Sequence, residues 1–263
     1  TLSEGTITTT GDFDLETGSA LTANGATLNV GGGFNHNAGT ANFSGGSLSA
    51  GSIYVGVGNN LTIGGINLTS TGTTELDGTI TFNNATGTKS LGSILVNASG
   101  SWIVSQPENF SISGDITNNG TFTGDPGYGT STYTLTSTSG TLGGSNTLSL
   151  RDIQINSPAS YSNEGTLVVA NTFTGSGTFI NAENSTLTYA GNNSSGTNFT
   201  ISNFTASATG NTVIYAGTTY SQQWRQTTSA NNDYYNVTVN MGTGGYQRLQ
   251  LVADVRVNGT LTI

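Results

Sequence analysis

Residues 113–124 read SGDITNNGTFTG and residues 253–262 read ADVRVNGTLT, and the two align without a gap. Asp115, Ile116, Asn119, Gly120, Thr121, Phe122 and Thr123 fall on Asp254, Val255, Asn258, Gly259, Thr260, Leu261 and Thr262. Asn171, Thr172, Phe173 and Thr174 form a looser copy. Apolar and polar residues alternate on both sides of an Asn-containing corner, the pattern of short strands joined by a turn. A second element recurs upstream: Leu91, Ile94, Val96 and Asn97 share their spacing with Leu150, Ile153, Ile155 and Asn156, and with Tyr234, Val237, Val239 and Asn240. The step from Asn97 to Asn119 is 22 residues and that from Asn240 to Asn258 is 18, so the repeat is degenerate and its loops vary.

Segments of the same texture fill the chain from end to end, among them TLNV, TITFN, SILVN, SWIVS, TLSL, TLVVA, TLTYA and TVIYA, each bounded by Gly, Asn or Ser. Dense, evenly spaced strands with internal copies indicate a solenoid. If each turn of chain lays its strands on those of the previous turn, parallel pairing satisfies the backbone at about 4.8 Å per layer. Leu, Ile, Val and Phe then stack inward, Gly supplies the corner conformations, and corner Asn side chains form amide ladders. At about 20 to 25 residues per turn the chain makes about 11 to 13 turns. The expected fold is all-β, a right-handed parallel β-helix (β-solenoid) with degenerate coils, continuous over 1–263 with a less regular part at 205–263.

Composition agrees. Thr, Ser, Asn and Gly (47, 30, 30 and 39) supply 146 of the 263 residues, which leaves few good helix formers. Leu, Ile, Val and Phe total 57, enough with the low charge density to place the chain on the folded side of the border with disorder. Five basic residues scattered singly among fourteen acidic ones exclude a phosphate-backbone binder. No apolar run approaches the roughly 20 residues of a membrane helix, and the N-terminal TLSEG lacks the charged start and apolar core of a signal peptide. With no Cys, disulfide staples and thiol chemistry are excluded.

The stretches 18–46 (GSALTANGATLNVGGGFNHNAGTANFSGG), 113–124 and 255–263 (VRVNGTLTI) resemble repeat-bearing secreted bacterial surface proteins of the adhesin and autotransporter-passenger kind, built as right-handed parallel β-helices. The resemblance spans most of the chain. It implies an exported, elongated structural or adhesive module and names no ligand.

Candidates for chemistry are few. His36, the only histidine, reads as a solvated residue of the FNHNAG turn. Asp12, Asp14 and Glu16 share one strand face and are weak candidates for a hard cation, with a solvated face as the favoured reading. Asp152 beside Arg151, and Asp254 near Arg256, are the carboxylates a polysaccharide lyase or hydrolase would need, yet each stands apart from other acids. Tyr220, Trp224, Tyr234 and Tyr235 could stack on sugar rings; padding of a widened coil is the favoured reading. Trp102 reads as core. Of fourteen Asn-x-Ser/Thr sequons, Asn42, Asn60, Asn67, Asn84, Asn184, Asn193, Asn198, Asn203 and Asn236 are candidates for glycosylation.

An open terminal coil exposes unpaired backbone and invites edge pairing, and neither TLSEGTITTTGDF nor VRVNGTLTI reads as a polar cap. The expectation is therefore a non-enzymatic extracellular or cell-surface structural protein, a subunit or segment of a filament, fibre or adhesin stalk. Its partners are further copies joined head-to-tail, adjoining modules of a longer chain, or glycans. No cofactor is expected. A carbohydrate-binding adhesin module is the alternative, and a β-helical polysaccharide lyase or hydrolase a further one.

Overall fold

The structure, a computed structural model, describes residues 1–192, 196–217, 222–229, 232–242, 248–251 and 253–263. Among them there is no helix. Parallel strands stack coil upon coil as a β-solenoid of about 12 turns. By its contacts the chain divides into two compact units, Thr1–Thr132 and Tyr133–Ile263.

In the first unit each coil has three strand faces, and long strands wrap around more than one of them. Ala20–His36 and Thr40–Val55 each span three faces, and Asn67–Leu76 spans two. The interval of three between Leu91 and Ile94 marks such a corner: residues 89–91 pair with Phe110–Ile112, whereas residues 94–96 pair with Ile116–Asn118. Thr6 pairs with Thr27 and Asn60 with Thr79, steps of 21 and 19 residues. In the second unit Ser160 pairs with Thr178 and Thr186 with Thr212, steps of 18 and 26, so coil length varies more there.

Period-two alternation turns one apolar row per face inward. In the first unit Leu28, Leu48 and Leu68 form one row, Phe34, Ile53, Ile94 and Ile116 belong to a second, and Leu61, Ile80, Trp102 and Phe122 to a third; all are buried. Leu148, Leu167, Leu187, Val213 and Val237 make the corresponding kind of row in the second unit. Each buried side chain of this size stabilises the fold by about 1.5–3 kcal/mol. Because layers lie about 4.8 Å apart, rings in successive coils meet as offset stacks. Phe13 on Phe34 (5.9 Å, 8°), Trp102 on Phe122 (5.4 Å, 9°) and Phe173 on Phe199 (5.4 Å, 10°) are such pairs.

The expected amide ladder exists, but through other asparagines than the repeated ones. In the second unit the Asn163 Nδ2 donates to Asn181 Oδ1 at 2.8 Å and the Asn211 Nδ2 to the Asn181 carbonyl at 2.7 Å, all three side chains being buried. Asn97 instead lies on the outside, its Nδ2 donating to Glu75 Oε1 (3.0 Å) and Asp77 Oδ1 (2.9 Å).

Gly46 shows why the corners need glycine. Its φ is +90°, and a Cβ there would lie 1.9 Å from the Ala26 carbonyl oxygen of the previous coil. Gly46→Ala is expected to cost about 1–3 kcal/mol in strain alone, with the clash added. Gly58→Ala, at φ +77° with nothing within 4 Å of the new methyl, is expected to cost less. Urea unfolding of the two variants checks the ranking, and an equal cost would contradict it.

Candidate functional site

Asp12, Asp14 and Glu16 do project from one exposed face, and each is tied to the next coil. Asp12 Oδ1 accepts from the Gly33 N–H (2.7 Å), Asp14 Oδ1 from Asn35 Nδ2 (2.8 Å) and Glu16 Oε1 from Asn37 Nδ2 (2.9 Å). Among the described residues no group of three or more His, Cys, Asp or Glu side chains is gathered closely enough to hold a metal ion.

His36 is not the solvated turn residue expected. The Phe34-x-His36 alternation continues through the corner, so the imidazole points inward at 0% exposure, with Nε2 3.3 Å from the Gly39 carbonyl oxygen. Burial lowers its pKa and holds it neutral.

The acids proposed from sequence for polysaccharide chemistry act as tethers or remain isolated. Asp152 is buried, and its Oδ1 accepts from Asn171 Nδ2 (2.7 Å), Thr172 N (3.0 Å) and Thr172 Oγ1 (2.7 Å) of the next coil. Arg256 holds Asp233 in a two-pronged pair, Nε to Oδ1 at 2.5 Å and Nη2 to Oδ2 at 2.9 Å, which keeps the Asp233 carboxyl below its ordinary pKa. Asp254 is exposed, two residues before the strand Arg256–Val257. Sequence reasoning missed the buried ion pair Lys89 Nζ–Glu108 Oε2 (3.0 Å, side chains 0% and 1% exposed). Lys89 occupies the inward position of Leu68 and Phe110, a place where a cation is not anticipated from pattern alone.

Within the aromatic patch Trp224 and Tyr234 are internal. Tyr234 is wholly buried and Trp224 is 6% exposed, because their rings pack on each other (5.4 Å, 88°) and Trp224 also packs on Tyr215 (5.5 Å). The two phenols meet at 3.1 Å, the Arg225 N–H donates to Tyr215 Oη (2.9 Å), and Tyr234 Oη donates to the Arg225 carbonyl. Burial pushes the Tyr215 hydroxyl up to about 12. Tyr235 is half-buried, and Tyr220 lies outside the described residues.

Of the sequons, Asn42, Asn60, Asn67, Asn84, Asn184 and Asn203 are exposed and Asn198 and Asn236 half-buried; Asn193 lies outside the described residues.

A further feature is an apolar cavity of about 500 Å³ lined by Trp224, Val239, Met241, Arg248, Leu249, Leu251, Leu261 and Ile263. Of its lining residues, Leu251, Leu261 and Ile263 are 59%, 49% and 93% exposed. Large apolar side chains in contiguous exposure mark an interaction surface. No protein-family model matches the chain, and neither does a curated protein or a solved structure.

Proposed function

We propose that the protein is an extracellular structural element, a subunit or segment of a surface filament, fibre or adhesin stalk whose coils continue head-to-tail into another copy or an adjoining module. The observation that carries this reading is the stack of parallel coils with inward apolar rows, together with the exposed apolar side chains Leu251, Leu261 and Ile263. Among the described residues Leu249 pairs with Gln222 and Leu261 with Val237, and both line the apolar cavity. A further coil, from another copy or an adjoining module, would cover that apolar surface. Stiffness comes from backbone ladders and stacked apolar rows, and the exposed sequons offer places for glycans. The reading assigns no reaction and no cofactor. Burial of Trp224 and Tyr234 favours it over sugar recognition by the aromatic patch.

Electron microscopy of the purified protein tests it. Smooth fibres with an axial repeat are expected, and dispersed single particles at all concentrations would overturn the polymer.

A further inference from the structure

The sequence holds one lysine, and the fold places it out of reach of solvent. Lys89 stands in an inward row between Leu68 of the previous coil and Phe110 of the next, with its Nζ 3.0 Å from Oε2 of the buried Glu108. Phe110 packs in turn on Phe82 (5.0 Å) and Trp102 (5.2 Å), all three rings being buried.

An ion pair needs only attraction between its partners, whereas here the surrounding groups hold both partners in place for a reaction between them. The amine is fixed on one side, Nζ donating to the Thr86 carbonyl at 3.0 Å. The acid is fixed on the other. Its backbone N–H donates to Oγ of the wholly buried Ser131 at 3.1 Å, and its Oε1 accepts the Asn109 N–H at 3.1 Å. The nitrogen therefore meets the carboxyl at Oε2, while Oε1, the oxygen that takes up charge in a tetrahedral adduct, already faces a backbone donor of the oxyanion-hole kind. Holding two reactants in contact in this way supplies effective molarities that reach about 10⁵–10⁸ M. Burial acts in the same direction, because a low-dielectric core penalises the ammonium and the carboxylate and favours their neutral forms.

We infer that Lys89 and Glu108 condense to an amide, a cross-link that the folded chain forms within itself. A proton passes from Nζ to Oε2, leaving a neutral amine and a neutral acid. The Nζ lone pair then bonds to Cδ, and the carbonyl π pair moves onto Oε1, where the Asn109 N–H stabilises it. A second proton from the nitrogen joins the Oε2 hydroxyl, the Cδ–Oε2 bond breaks, and one water leaves as Oε1 regains its double bond. Nothing is oxidised or reduced, and no outside reactant enters.

The bond would act between layers. Phe110 is the register partner of Lys89, so Glu108, two residues earlier, belongs to the next coil. Joining 89 to 108 closes one whole turn of the solenoid into a covalent ring, the kind of constraint a disulfide supplies, in a chain that has no Cys. The site lies within the first unit and is independent of any head-to-tail contact.

Mass spectrometry reads the bond directly. Protein purified in its folded state and then denatured is expected to weigh one water less than its sequence, and a proteolytic digest to contain a branched peptide joining Lys89 to Glu108. Acetic anhydride in urea is expected to label Lys89 in protein kept unfolded since its synthesis and to leave it unlabelled in protein that has folded first. Lys89→Arg keeps a cation at the position but offers a guanidinium in place of the amine, and is expected to retain the full sequence mass; should it fail to fold, the wild-type mass and labelling decide alone. Folded wild-type protein that keeps its full mass after prolonged incubation, and whose Lys89 is acetylated once denatured, would end the inference. A missing water that maps to other residues while Lys89 still takes the label would end it equally.

Discussion

Lys89→Ala is expected to lower stability by about 3–5 kcal/mol at neutral pH, because it strands the Glu108 carboxylate in the core of the first unit. The Nζ of Lys89 lies 3.0 Å from Glu108 Oε2 and donates to the Thr86 carbonyl at 3.0 Å, and neither side chain reaches solvent. Burial raises the Glu108 pKa and the lysine opposes that rise, so removing the lysine drives it further up. A carboxyl whose folded pKa exceeds its unfolded value contributes stability below the unfolded pKa that is lost as pH rises through the folded one. The penalty of Lys89→Ala should therefore shrink when pH falls toward 4. Adding Glu108→Gln to Lys89→Ala should recover part of the loss at pH 7. Urea unfolding at pH 4 and pH 7 measures both effects, and a pH-independent loss with no recovery would show that the missing lysine stem, not the stranded charge, is responsible.

Trp102→Ala is expected to cost about 3–5 kcal/mol, the range for removing a large buried ring. The indole is wholly buried, stacked on Phe122 and packed on Phe82 (4.6 Å) and Phe110 (5.2 Å). In a solenoid each coil touches only its neighbours, so the loss should be local. Hydrogen exchange should rise first in Thr79–Phe82 and Thr121–Gly124, the strands that pair with Ser101–Val104. Val57→Ala, at a side chain 71% exposed, should stay within about 0.5 kcal/mol of wild type. A loss below about 1 kcal/mol at Trp102 would contradict the packed core.

The solenoid was legible because its two signals are strictly local. Period-two alternation selects the inward side chain at each strand, and Gly or Asn marks many of the corners; Leu91, Ile94 and Val96 carry both in six residues. The parallel stacking followed from the repeats, which recur at coil spacing. Coil length was less legible: the step from Thr186 to Thr212 depends on how a loop packs, which no short-range pattern encodes.

Side-chain roles were harder to read, for a physical reason. His36, Lys89 and Glu108 are polar residues at inward positions, and composition argues for solvating them. Their burial is settled by partners a coil or more away, as when Glu108 finds Lys89 and donates its N–H to Ser131 Oγ at 3.1 Å. Trp224 and Tyr234 are internal because they pack on each other and Trp224 packs on Tyr215, contacts that sequence spacing does not encode. The acidic strand face of Asp12, Asp14 and Glu16 was placed correctly, although its ladder to Gly33, Asn35 and Asn37 was not foreseen.

Within each unit the interstrand N–H···O bonds point along the direction in which coils are piled. A tensile load applied in that direction is carried by the three faces of a layer side by side and by successive layers one after another. Rupture would therefore start at whichever layer has the fewest bonds bracing it, and the remaining coils would stay intact while that one opens.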